Sequence, residues 1–181
     1  MIDAGLGIYK TESVDQQNND QDDGDAAANM VSIGYERGLT NWLGAGAKIQ
    51  LANYFTEVDS GTGAEPNAAS FDFMALTNVH FARGERSDFL VSINAGYSQF
   101  KYSNGLTGTG SNMLSGGGLV YDLRLVSRFY FKKLPVAVGF SLGYTGYSYK
   151  NLADKNNYQY NFKTSGPVFG IHFCGRKRAG S

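Results

Sequence analysis

The sequence alternates apolar and polar residues along most of its length, as in LVYDLRLVSRFYF (residues 119–131). The apolar and aromatic residues of this segment fall mainly on odd positions, whereas Asp122, Arg124 and Arg128 fall on even ones. Because successive side chains of a strand point to opposite faces, the segment has one apolar and one charged face. The pattern recurs in eight segments, and no segment with a helical period competes with them. The sequence therefore predicts an all-β protein with eight strands.

The connections between the predicted strands alternate between short and long. The short links lie near 38–41, 83–88 and 132–135, and the long polar links lie near 12–29, 56–69, 103–117 and 151–157. Strict alternation collects the long loops at one end and places both termini at the other. The strands then form an antiparallel meander, and closing it into a barrel removes both exposed edges.

The composition excludes several classes of protein. Lysine and arginine together number 16, as do the acidic residues, so the charge balance does not favour a nucleic-acid partner. Cys174 is the single cysteine, which rules out an internal disulfide or a cysteine-based zinc site. No apolar run reaches the length of a transmembrane helix. The start MIDAGLGIYK lacks the features of a secretory signal, so we expect an exported protein to be in its mature form.

Two kinds of eight-stranded barrel fit the alternation, and they differ in which face meets water. In a soluble, lipocalin-like barrel the apolar face lines a ligand cavity, whereas in an outer-membrane barrel it meets lipid and the polar face fills the lumen. The apolar face carries many large rings, among them Phe71, Phe73, Phe140 and Phe169. These rings exceed what a small lumen holds beside a ligand. The volume argument favours the membrane barrel, with the charged residues inside.

The opposite face of the predicted seventh strand carries only small residues, Ala137, Gly139, Ser141, Gly143 and Thr145. On the solvent-exposed outside of a soluble barrel, these residues would lower the strand propensity and gain nothing in packing. Inside a lumen they leave room for large neighbours such as Arg124 and Arg128. Small residues opposite large ones again favour a filled lumen.

The aromatic residues of the predicted strands fall into two groups. One group lies at the short-turn ends and comprises Tyr35, Phe81, Phe89, Phe129, Phe131 and Phe173. The other lies toward the long loops and comprises Tyr54, Phe55, Phe71, Tyr97, Tyr121, Tyr144, Tyr147 and Tyr149. We predict that they form two girdles at the two membrane interfaces.

The segment GPVFGIHF (166–173) has Gly166 followed by Phe169, Ile171 and Phe173 at alternate positions. This segment resembles the terminal strand signal of bacterial outer-membrane barrels. The whole chain resembles the small eight-stranded family typified by outer-membrane protein X and the transmembrane domain of outer-membrane protein A. The resemblance implies an eight-stranded antiparallel up-and-down transmembrane β-barrel in the bacterial outer membrane, with periplasmic termini. We expect one barrel domain over residues 1–174, and in 175–181 a short basic periplasmic tail or a cloning remnant.

The charged residues of the inward face are candidate site residues. They are Glu36, Lys48, Asp72, Asp122, Arg124 and Arg128. Counting from the short turns places opposite charges at matched depths, and an unpaired buried charge would be costly. We therefore expect a salt-bridged plug; the alternative is that these charges line an ion path.

The resemblance implies a non-enzymatic protein with a structural or surface-interaction role through its extracellular loops. Three alternatives stay open: a narrow channel for small solutes, a lipid-modifying outer-membrane enzyme, and a soluble lipocalin-like binder. The only histidines, His80 and His172, are both predicted near the periplasmic end. A histidine-based site facing the outer leaflet would therefore lack its base. We predict no catalytic residue, no cofactor and no metal centre.

The first predicted loop is acidic and contains Asp20, Asp22, Asp23 and Asp25. Its spacing fails the EF-hand pattern, so the loop is either a solvated surface segment or a weak cation site bridging to lipopolysaccharide. Expected partners are outer-membrane lipid, lipopolysaccharide and an extracellular or periplasmic protein, but no nucleic acid. A basic rim at the opposite end is formed by Lys132, Lys133, Arg176, Lys177 and Arg178.

The last predicted strand changes phase along its length. Tyr158, Tyr160 and Phe162 fall on even positions, whereas Phe169 is odd. This change predicts a β-bulge around Ser165–Pro167.

Overall fold

The computed structural model describes residues 1–55, 67–104, 113–154 and 159–175. Its strands are β1 (Ile2–Asp15), β2 (Gln21–Gly38), β3 (Leu43–Phe55), β4 (Asn67–Arg83), β5 (Ser87–Ser103), β6 (Met113–Tyr130), β7 (Val136–Ala153) and β8 (Gln159–Gly175). Each strand pairs antiparallel with the next, and β8 pairs with β1 to close the barrel. The predicted fold class is confirmed. Within the described ranges, no helix has the length and apolarity needed to cross a membrane.

The apolar face of the barrel points outward, as predicted. Leu119 is 69% exposed, whereas Arg124 and Arg128 are each 5% exposed. The same division holds around the barrel, with Phe73, Phe140 and other large apolar residues on the outside. The exterior therefore suits hydrocarbon, and the polar residues are sealed inside.

The start of β1 at Ile2 and the end of β8 at Gly175 both lie at the short-turn end. The N-terminal ammonium of Met1 donates a hydrogen bond to the carbonyl oxygen of Gly34 at 2.9 Å. At this end β2 and β3 are joined through residues 39–42, and β4 and β5 through residues 84–86.

The strands extend further toward the other end than the alternation predicted. The first long loop, expected over residues 12–29, is a five-residue connection (16–20) between β1 and β2. The expected loop boundaries are therefore wrong. Residues 21–25 of β2 are exposed on both faces of the strand, so they carry no apolar period.

The bulge predicted around Ser165–Pro167 is also wrong. The pairing of β8 with β7 keeps one register from Gly175 to Phe162, and the irregularity lies between Tyr149 and Leu152 on β7. Phe162 is consequently in phase with Val168, which faces the lumen. The change of phase in the sequence reflects an aromatic lining inside the outer half of the barrel.

The outer aromatic girdle is only partly as predicted. Phe55, Phe71, Tyr97, Tyr121 and Tyr144 are exposed on the outer wall. In contrast, Tyr54, Tyr147 and Tyr149 are buried in the lumen. All three lie in phase with the inward-facing residues of their strands, because lumen-facing positions near this end are aromatic rather than polar.

The small residues of β7 make room for large side chains of β6, as predicted. A Cβ atom built on Gly143 would lie 2.6 Å from Cγ of Arg124. On the far side of the barrel, a Cβ on Gly44 would clash with the carboxylate of Glu36. Glycine therefore provides the space that the charged side chains occupy in the lumen.

Candidate functional site in the lumen

The first layer of the lumen, at the short-turn end, is centred on His80. Its Nδ1 lies 2.8 Å from Asp88 Oδ1 and its Nε2 lies 2.8 Å from Glu36 Oε1. Because carboxylate oxygens only accept hydrogen bonds, both ring nitrogens donate, which fits the imidazolium form. Arg128 Nη1 donates to Glu36 Oε2 at 3.1 Å, and Asn78 Nδ2 donates to the same oxygen at 2.7 Å. This layer joins two carboxylates to two positively charged groups.

The second layer lies deeper and is centred on Asp122. Arg124 Nε lies 2.9 Å from both carboxylate oxygens of Asp122, and Lys48 Nζ lies 3.0 Å from Oδ2. The three side chains come from β3 and β6, so the contact with Lys48 crosses the barrel. All three residues are buried. Because the two cations share one carboxylate, the layer carries a net positive charge before its other neighbours are counted.

Asp3 lies close to this second layer on the short-turn side. Ser32 Oγ donates to Asp3 Oδ2 at 2.9 Å, and His172 Nδ1 lies 3.7 Å from Asp3 Oδ1. A cavity among Met1, Asp3, Lys48, Arg124, Arg128 and His172 has a volume of only about 10 Å³. Since roughly 10–15 Å³ is needed to hold one water molecule, this part of the lumen is filled by side chains.

Asp72 lies on the outer side of the second layer, and its hydrogen-bond donors differ from those of the other buried carboxylates. Its carboxylate accepts hydrogen bonds from Ser98 Oγ at 2.5 Å, Gln50 Nε2 at 3.1 Å and the Tyr147 hydroxyl at 3.1 Å. Within the described part of the chain, no cationic group forms an ion pair with it. The expectation that Asp72 takes part in a salt bridge is therefore wrong, because the residues around it are neutral donors.

An aromatic layer lies next to Asp72 toward the outer end. The Tyr147 and Tyr149 rings stack with centroids 5.9 Å apart, and those of Phe100 and Phe162 stack at 5.3 Å. The Tyr149 hydroxyl is 2.7 Å from Ser98 Oγ, which connects this layer to the polar groups below. The lumen therefore changes from charged to aromatic along its axis.

The acidic residues near the first connection do not form one site. Asp20 lies in the connection, and Asp22, Asp23 and Asp25 lie on β2. Neighbouring side chains of a strand point to opposite faces, so Asp22 and Asp23 diverge. In the described ranges, no group of three acidic, histidine or cysteine side chains is placed to hold a metal ion. At the opposite end Lys132 and Lys133 are exposed, and Arg176, Lys177 and Arg178 lie outside the described residues.

Sequence analysis missed several residues of the lumen network, among them Asp3, Gln50 and Asp88. Asp3 and Gln50 lie on the inward-facing phase of β1 and β3, and the alternation already marked that phase as polar. Asp88 was assigned to a short link but belongs to β5, in phase with the buried Leu90 and Ser92. All three would have been found by including every polar residue at the inward-facing positions, out to the ends of each strand.

No protein-family model matches the sequence, and no curated protein matches it. Among solved structures, neisserial surface protein A aligns with a TM-score of 0.54 at 10% identity over 96% of each chain. Outer membrane protease OmpT from Escherichia coli aligns at 0.49, with 9% identity over 95% of each chain. Ail, the attachment invasion locus protein of Yersinia pestis, aligns at 0.43, with 12% identity over 96% of this chain and 97% of that chain.

Sequence identities this low support a conclusion about the fold alone. Of these three alignments, the one with neisserial surface protein A has a TM-score above 0.5. That alignment agrees with the closed ring of eight antiparallel strands and with its apolar exterior. The chain has the fold of the small eight-stranded outer-membrane β-barrels.

Proposed function

We propose that this protein is a non-enzymatic bacterial outer-membrane barrel with a closed lumen, acting at the cell surface through its outer end. The observation that carries the proposal is the second layer of the lumen. Asp122 is held by Arg124 of the same strand and by Lys48 across the barrel, and the cavity beside them measures about 10 Å³. A hydrated ion has no path through such a layer.

We also propose the orientation of the barrel. Outer-membrane barrels have short periplasmic turns and longer extracellular connections. The connections at the end where β1 starts and β8 ends are short, and the strands at the other end extend beyond the apolar band. These features support periplasmic termini and an extracellular outer end.

Lipopolysaccharide is the proposed partner of the outer wall. Exposed lysines lie beyond the apolar band on four strands: Lys10, Lys101, Lys150 and Lys163. Acidic residues accompany them, since Glu12 pairs in register with Lys163 and Asp25 with Lys10. On the part of the outer wall just beyond the apolar band, the lysines can bind the phosphates of a lipid head group and the acidic residues can bind its associated cations.

Conductance tests the closed lumen. The purified barrel, refolded in detergent and checked by heat-modifiable gel migration, is added to a planar bilayer in potassium chloride. We expect no discrete current steps, because the ion-paired layer blocks the lumen. Steps whose size changes in Arg124→Met would show that ions pass this layer and would overturn the proposal in favour of a narrow channel.

The non-enzymatic role is supported by the position of both histidines. His80 and His172 lie in the lumen at the short-turn end, and each faces a carboxylate. We expect the lipid A of cells with and without the gene to give identical mass spectra. An acyl or head-group difference that depends on the gene would instead show a lipid-modifying enzyme.

A further inference from the structure

The outer mouth of the lumen contains a cavity of about 320 Å³. All eight strands contribute to its lining, from Thr11 on β1 to Phe162 on β8. Its volume falls at the lower end of the range for small-molecule sites, roughly 300–1,000 Å³. The cavity is distinct from the charged layers, which lie deeper in the lumen.

The floor of this mouth cavity is a packed set of rings. Phe100 and Phe162 stack at 21° with centroids 5.3 Å apart, and Tyr54 meets Phe100 edge-on with centroids 6.1 Å apart. Tyr149 packs against Phe100 and Phe162 from the inner side. Because its hydroxyl is bonded to Ser98, the floor is anchored to the polar layer below. Packed rings therefore close the end of the cavity that faces the charged layers.

The lining of the mouth cavity selects against charged molecules. Asp25 is the one charged residue among the described lining residues, and it lies on the outward-facing phase of β2 beside Lys10. An anion that entered would lose its hydration without gaining a counter-charge, and a cation would find in the described lining only Asp25, which already lies beside Lys10. Thr11 and Ser13 place hydroxyl groups in the lining, where a polar substituent can contact them, and Ser13 Oγ also donates to the carbonyl oxygen of Asp22 at 3.5 Å.

The lining also favours rings over flexible chains. Five aromatic residues border the cavity: Tyr54, Phe100, Tyr102, Tyr160 and Phe162. Aromatic pairs gain roughly 0.5–1.5 kcal/mol beyond their buried area when they stack or meet edge to face. Since a cavity of about 150 Å³ accepts benzene, the larger mouth cavity has room for about two fused rings.

We propose that the mouth cavity binds a small, uncharged aromatic molecule of about two rings, with its polar substituent toward Thr11 and Ser13. The inference goes beyond the proposed surface role. It uses the closed lumen only as the floor of the site, and it is the same for either orientation of the barrel. Conductance and ligand binding are separate measurements, so failure of one proposal is distinguishable from failure of the other.

Calorimetric titration of 2-naphthol tests the site. The barrel is placed in lipid nanodiscs, and empty nanodiscs give the heat of partitioning into lipid. Ala68→Trp fills the cavity, and Ala69→Trp is the matched control, because Ala69 is the next residue of β4 and faces outward. We expect Ala68→Trp to weaken binding roughly tenfold or more, and Ala69→Trp to change it by less than about twofold.

The proposal is overturned if the heat matches that of empty nanodiscs, or if the two variants weaken binding equally. If 1-octanol binds more tightly than 2-naphthol, the cavity prefers alkyl chains and the proposal of an aromatic ligand is wrong. If Ala68→Trp does not show heat-modifiable migration and is therefore misfolded, a crystal structure of the wild-type protein with a bound ligand tests the site instead. Crystals soaked in 6-bromo-2-naphthol should show an anomalous bromine peak between Tyr54 and Phe162, and a peak only on the outer wall would contradict the site.

Discussion

Two buried aspartates of the lumen have opposite electrostatic surroundings. Asp122 is held by Lys48 and Arg124, whereas the donors to Asp72 are Ser98, Gln50 and Tyr147, which are all neutral. Removing one partner of a buried ion pair leaves the other charge uncompensated. Removing a buried charge that has no counter-charge relieves a desolvation penalty instead.

Asparagine substitutions should therefore separate the two residues. We expect Asp122→Asn to lower the free energy of unfolding by about 3–5 kcal/mol, since Lys48 and Arg124 lose their shared carboxylate. Asp72→Asn keeps the size of the side chain, so we expect a loss below about 1 kcal/mol or a gain. Urea unfolding in lipid vesicles measures both. A loss for Asp72→Asn as large as that for Asp122→Asn would disprove this distinction.

At the scale of the strand, β7 shows how glycine shapes the lumen. A Cβ atom on Gly143 would clash with the backbone oxygen of Leu123 and lie 2.6 Å from Cγ of Arg124. The same addition on Gly38 of β2 would meet nothing nearer than the Thr40 oxygen at 3.9 Å. The two glycines therefore differ in whether the neighbouring strand leaves space for a side chain.

We expect Gly143→Ala to destabilise the barrel by about 1–3 kcal/mol, because the inserted methyl group overpacks the wall beside Arg124. Gly38→Ala is the control and should change stability by less than about 0.5 kcal/mol. Urea midpoints of both variants, compared in the same lipid, give the difference. Equal effects would mean that the close approach of β6 and β7 does not restrict position 143.

At the scale of the whole molecule, the barrel is inverted relative to a soluble protein. Its exterior carries exposed Leu, Ile and Phe side chains, and its interior carries the ion pairs. Hydrocarbon around the middle of the barrel makes this arrangement stable, because burying the charges inside keeps them out of lipid. The cost of placing a charge on the outer wall should therefore depend on depth.

A depth series tests this arrangement. Leu123 lies near the middle of β6 and faces outward, so Leu123→Arg should cost about 2–4 kcal/mol. Gln99 of β5 lies in the outward phase closer to the outer end, and Gln99→Arg should cost only about 0–1 kcal/mol. Unfolding free energies in vesicles give both values. If the two arginines cost the same, the apolar band does not lie in the hydrocarbon.

The alternation of side chains was sufficient to predict the eight strands and the side that most of their residues face. The reason is physical: where one face of a strand meets hydrocarbon and the other a filled lumen, side chains must alternate with period two. Parity alone thus places Leu119 and Arg124 on opposite faces, and the volume of the rings that share a face with Leu119 predicts that this face points outward. Small residues such as Gly143 could likewise be matched with large neighbours, because adjacent strands hold them at short distances.

Which inward-facing groups meet across the lumen depends on the three-dimensional fold. Lys48 and Asp122 are 74 positions apart, and their contact depends on the register of every strand between them. Asp72 shares the inward phase of the ion-paired residues, yet its depth places it among neutral donors and rings. The alternation of apolar and polar residues also could not predict the mouth cavity or the full length of the strands. Residues 21–25 of β2 are exposed on both faces, so their pairing with β1, rather than an apolar period, holds them in the sheet.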